Sequence, residues 1–156
     1  MCVCAHQLTL QVDIDFRSRE GLLQFIARVW PFLFQFTWPH FGRLQVEDVR
    51  VSRTGHCYHV EIGVRNEIEP LQLILLQAMF GSDVRRENHN LERLTCTQMR
   101  PWDVMYNWKF KYYWKFRGHR INEYRTLSRE RNLVGLSKQI RRLIKGFQKG
   151  SVETGR

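Results

Sequence analysis

An α+β fold, one domain with an extension, is predicted by three patterns in this chain. Residues 8–97 switch between two hydrophobic periods, strand-like alternation in four segments and helical spacing in two. Turn-forming residues sit at the changes of period. Beyond Arg100-Pro101 the composition shifts to a basic, aromatic stretch. At 156 residues the chain is long enough to bury a modest core.

Residues 8–16 alternate, with Leu8, Leu10, Val12, Ile14 and Phe16 on one face and Thr9, Gln11, Asp13 and Asp15 on the other, as a half-buried strand does. Ser18 suits an N-cap. Leu22, Leu23, Phe25, Ile26, Val29 and Trp30 then recur at helical spacing until Pro31 disturbs the pattern. Trp38-Pro39-His40-Phe41-Gly42 reads as a loop. Residues 46–53 and 57–64 flank Thr54-Gly55-His56 as a hairpin, with Val49 and Val51 facing inward beside Tyr58, Val60 and Ile62. Asp48, Arg50, Ser52, His59 and Glu61 are left on the outer face. Pro70 opens a helix through Phe80 that Gly81 ends, and residues 91–97 read as a short final strand.

The resulting order, β-α-β-β-α-β, is the split βαβ of ferredoxin-like and RRM-like domains. In that topology the first and third strands are central and adjacent. Asp13, Asp15 and His59 are therefore expected together on the open, helix-free face of the sheet.

The last third is expected to add a basic β-strand plus helix, so that residues 1–99 form the core and 100–156 the extension. Trp108, Phe110, Tyr112, Trp114 and Phe116 alternate with Lys109, Lys111, Tyr113, Lys115 and Arg117 in a long strand. Residues 127–148 read as a basic helix with Leu133, Leu136, Ile140, Leu143, Ile144 and Phe147 as its apolar stripe. Five exposed rings would invite aggregation, so the aromatic face is expected beneath that helix.

Net charge is +10, and its placement is uneven: residues 1–99 hold 10 Lys/Arg against 11 Asp/Glu, and residues 100–156 hold 15 against 4. The excess points to a polyanionic partner, DNA or RNA. Lys109, Lys111, Lys115, Arg117, Arg120, Arg141 and Arg142 are the candidate phosphate contacts. Cys2, Cys4, Cys57 and Cys96 lack the paired CxxC spacing of a zinc site, and no secretory leader precedes them. Reduced thiols in a cytoplasmic protein are expected. The longest apolar runs fall far short of a membrane span, so no membrane partner is expected.

The chemistry-bearing residues lie in the first part. Asp13 and Asp15, two apart on a strand, project from one face and could ligate one divalent cation together. With Glu61 on the same face they repel one another unless a cation or Arg50 neutralises them. Coincidence of Val12-Asp13-Ile14-Asp15 with Ser52-Arg53-Thr54-Gly55-His56-Cys57-Tyr58-His59 gives the pattern its specificity. On these two motifs the chain resembles the archaeo-eukaryotic primase, or primase-polymerase, superfamily over residues 7–97.

The resemblance implies an RRM-like catalytic core in which Asp13 and Asp15 bind Mg²⁺ or Mn²⁺, and His59, with Ser52 and Arg50, contacts the phosphates of a nucleoside triphosphate. The family's third motif supplies a further Asp from a later strand. Asn90 stands at the nearest candidate position, and Glu92, two residues on, is the substitute metal ligand. The function expected is template-dependent nucleotidyl transfer in nucleic-acid replication. Its alternative is a non-catalytic nucleic-acid-binding or genome-packaging protein on the same fold. Ordinary RRM base stacking is disfavoured, because Cys57, His59 and Glu61 occupy the outer face of the third strand where rings would be needed.

Overall fold

A computed structural model of the chain describes residues 8–54, 57–97, 108–114, 120–126 and 131–150. It is an α+β structure. Strands β1 (Leu8–Asp15), β2 (Val46–Thr54) and β3 (Cys57–Val64) form an antiparallel sheet in the order β1-β3-β2, and the two-residue β6 (Arg131–Asn132) joins the far edge of β2. The alternation in the sequence decides the faces. Leu10, Val12 and Ile14 of β1, Val49 and Val51 of β2, and Tyr58, Val60 and Ile62 of β3 all lie in one buried core.

Helix α1 (Arg19–Gln35) begins where Ser18 accepts a hydrogen bond from the Gly21 N–H at 3.0 Å. It continues through Pro31, where the sequence pattern alone would break it. An interior proline costs about 3 kcal/mol. Burying Leu33 and Phe34 beyond it returns roughly 1.5–3 kcal/mol each. Trp30, Phe34 and Phe80 meet edge to face at 5.1–6.2 Å, and the Trp30 indole donates to the Phe80 carbonyl at 3.0 Å. Helix α2 (Pro70–Met79) ends as expected at Gly81, whose φ of 95° and close approach to Phe25 leave no space for a side chain.

The expected final strand at residues 91–97 does not form. Helix α3 (Val84–Glu92) occupies the start of that segment, and a π-helical turn (Arg93–Thr97) completes it. Asp83 caps α3 by accepting from the Arg86 N–H at 3.0 Å. The β-α-β-β-α-β order thus ends in helix, and β1, expected at the centre, has β3 as its one strand neighbour among the described residues.

Side chains from the α2–α3 corner satisfy the other edge of β1. Gln77 Oε1 accepts from the Gln11 N–H at 2.8 Å, and Ser82 Oγ accepts from the Asp13 N–H at 3.1 Å. Arg86 donates to the Gln11 carbonyl at 2.7 Å, and the Asp83 N–H donates to the Asp13 carbonyl at 2.8 Å. Arg86 is fully buried and pairs with Glu87, which also accepts from Gln77 at 3.1 Å and from Asn90 at 3.2 Å.

Strands β4 (Trp108–Trp114) and β5 (Arg120–Thr126) pair in a separate two-stranded sheet. The β5 partner was not foreseen from the sequence. Phe116 lies outside the described residues, as do the side chains of β4, so the expected packing of the aromatic face is not described. The basic helix α4 (Val134–Lys149) starts later than the periodicity suggests, and its Leu136, Ile140 and Ile144 enter the main core beside α1 and β2. Among the described residues no helix is long and apolar enough to cross a membrane.

The edge network gives a stability prediction. Arg86→Met should destabilise the fold by about 3–5 kcal/mol, because Glu87 would remain as an unpaired buried charge. Arg85→Met on the exposed side of α3 should stay within about 0.5 kcal/mol. Urea denaturation of both variants checks the contrast, and equal stabilities would show the network to be dispensable.

Candidate functional site

Strand register, rather than sequence proximity, assembles the site. Asp13 on β1 lies opposite His59 on β3, and His59 lies opposite Ser52 on β2, so the three form one row across the sheet. The neighbouring row toward the hairpin is Asp15, Cys57 and Thr54. On the other side lie Gln11, Glu61 and Arg50. In each strand these residues alternate with core residues, which puts all three rows on the face away from the core.

That face is not open at its centre. Asp13 is 4 % exposed and His59 3 %, where the sequence reading placed both on a solvent-facing surface. His59 Nδ1 stands 3.3 Å from Asp13 Oδ1, close but without hydrogen-bond alignment. Among the described residues, Asp13 Oδ1 and both ring nitrogens of His59 have no hydrogen-bond partner. Each buried unsatisfied polar atom costs about 1–3 kcal/mol.

Asp15 is exposed at the strand end and Ser52 is half-buried. Cys57 lies opposite Asp15 across β1 and β3. Burial raises its thiol pKa above the usual range, and the charges of Asp13, Asp15 and Asp83 raise it further. The thiol is thus held protonated, as a neutral group inside a negatively charged surround.

The remaining predicted residues are elsewhere. Arg50 is exposed and bonds Asp48 at 3.0 Å. Glu92 is exposed on a helix, its carboxylate 3.2 Å from His89 Nδ1, where a strand had been expected to carry it onto the sheet face. Asn90 is fully buried and committed to Glu87 and Arg93. No group of three His, Cys, Asp or Glu side chains among the described residues is assembled around a common metal position. Arg141 and Arg142 are exposed on α4. Arg120 begins β5, and Lys109 and Lys111 lie on β4 opposite Arg125 and Glu123. Lys115 and Arg117 fall outside the described residues.

Sequence reasoning missed Asp83, Ser82 and Gln77, the groups that fix the backbone of Asp13 and its neighbour. One signal was present: Gly81 followed by Asp83, with Glu87 a turn later, is a helix stop followed by a new N-cap. Comparison with family models, with curated proteins and with solved structures finds no match to this chain.

The Cys57 surround is directly testable. Alkylation of Cys57 by iodoacetamide, followed by peptide mass spectrometry across pH, should show a midpoint above that of an ordinary thiol, since burial and carboxylates both disfavour the thiolate. Asp15→Asn should lower that midpoint and speed the reaction at fixed pH. An unchanged midpoint in the variant would leave the effect to burial and to the charges of Asp13 and Asp83.

Proposed function

We propose that the Asp13–His59–Ser52 row is a nucleotide site for template-dependent nucleotidyl transfer, with nucleoside triphosphates as substrates and DNA or RNA as template. The observation that carries this reading is the register itself. Two motifs separated by more than thirty residues of sequence lie side by side, and Asp13 Oδ1 and the His59 nitrogens are buried without a hydrogen-bond partner among the described residues. The chain's resemblance to primase-polymerases joins the same two motifs. The β1-β3-β2 order supports an RRM-like or ferredoxin-like core in which α3 takes over the edge of β1 from a fourth strand.

In this reading His59 is the phosphate-binding group. Its two ring nitrogens have no hydrogen-bond partner among the described residues, and one of them would donate to a phosphate oxygen, with Asp13 3.3 Å from Nδ1. Ser52, next in the row, offers a hydroxyl to the same phosphates. Asp13 and Asp15 would hold Mg²⁺ or Mn²⁺, which needs only one or two carboxylates when a triphosphate completes its shell. The ion would supply activation of the attacking hydroxyl and charge neutralisation at the leaving pyrophosphate.

A second reading, a nucleic-acid-binding protein without catalysis, is favoured by the fate of the third-motif candidates. Asn90 serves the edge network, and Glu92 faces His89.

Triphosphate binding separates the two readings. His59→Gln should weaken binding of a fluorescent nucleoside triphosphate in Mn²⁺ by about ten- to a hundredfold, the worth of one charge-assisted hydrogen bond. Thermal melting checks that the variant folds, since Tyr58 and Val60 on the core face are unchanged. Primer extension by the parent, lost in Asp13→Asn, supports transfer. A parent that binds oligonucleotides but neither binds triphosphate nor extends a primer belongs to the second reading.

A further inference from the structure

A groove of about 330 Å³ runs between β2 and the first turns of α4, away from the Asp13–His59 row. Arg50 from the strand and Lys138 and Arg141 from the helix line it, and one carboxylate, Asp48, faces them. Asp48 is shared between two cations, at 3.0 Å from Arg50 and 3.9 Å from Arg141. Among the described residues lining the groove, three cations against one carboxylate leave a net charge of about +2 at a partly enclosed surface, where attraction for an anion exceeds that of an open one.

The cations do not stop at the groove. Arg142, Lys145 and Lys149 continue along the exposed side of α4. From Lys138 to Lys149 the helix rises about 16 Å, at 1.5 Å per residue. A row of that length matches consecutive phosphates better than one small anion. Its apolar opposite side, Leu136, Ile140 and Ile144, is buried in the core, which fixes the row rigidly relative to β2.

We infer that the β2–α4 groove is a phosphodiester-backbone site, in which Arg50, Lys138 and Arg141 grip one phosphate and the α4 cations carry the strand onward. This deepens the proposed function and rests on nucleic acid being a partner, but not on nucleotidyl transfer. Arg50 thereby serves the polynucleotide rather than the incoming triphosphate. Lys138 is a contact residue that the sequence pattern did not single out.

The test is fluorescence anisotropy with labelled oligothymidylate and a labelled duplex, in chelator and without nucleotide, over a range of salt. Each lost phosphate contact lowers the slope of log affinity against log salt by about 0.7 on single strands and about 0.9 on duplex. Arg50→Gln with Lys138→Gln, which takes two of the three cations from that one phosphate, should therefore flatten the slope by about 0.7 or 0.9. Asp48→Asn should tighten binding, a change of opposite sign that misfolding does not mimic, and circular dichroism confirms the fold of each variant.

An unchanged slope in the double variant, with the parent binding normally, overturns the groove and leaves the nucleic-acid reading standing. Absence of oligonucleotide binding by the parent overturns both. Inorganic phosphate competing at concentrations comparable to oligonucleotide phosphate overturns backbone tracking in favour of a single-anion site.

Discussion

The unpaired edge of β1 is the constraint on which the rest of the structure depends. A strand edge buried against helices must find partners for its N–H and C=O groups, or each group costs the full desolvation penalty. Here Gln77, Ser82, Arg86 and the Asp83 backbone together satisfy both groups of Gln11 and of Asp13. A guanidinium suits the task because it donates in several directions from one buried position. Arg86 reaches Gln11, Ser82 and Glu87 at once. The same corner fixes the Asp13 backbone from both sides, so the geometry of Asp13 toward His59 is inherited from the edge network.

Two buried polar clusters thus stand a strand apart and differ in kind. Around Arg86 the charges are paired and the amides bonded, as a structural network must be in a low-dielectric interior. At Asp13 and His59 the side chains approach to 3.3 Å, and three polar atoms have no hydrogen-bond partner among the described residues. A fold that can satisfy the first so fully has no general difficulty with buried polar groups. The second carries a cost in stability that the first does not.

Charge follows the same division. The acidic residues Asp13, Asp15 and Asp83 gather around Cys57 and raise its pKa. The basic residues of α4 gather on the opposite side of the sheet order, next to β2. Sharing the core ties them to the sheet, since Leu136, Ile140 and Ile144 pack among the same residues as the strands. Cationic row and acidic residues thus share one core.

By itself the sequence determined the three main strands, their inward and outward faces, α1 and α2, and the residue types that meet across β1, β3 and β2. These follow from alternation, capping and turn residues, which act over a few neighbours and leave a mark in the order of amino acids. Only the tertiary structure decided that residues 84–97 are helical. The polar side of α3 is stabilised by Gln11 and Gln77, and a bond such as Arg86 to Gln11 spans 75 residues. Hydrophobic period carries no trace of that partner. Nor could it show that Asp13 and His59 are buried, that Glu92 turns toward His89, or that Lys138 joins Arg50 in one groove, because burial and charge proximity belong to the packed arrangement and not to any one segment.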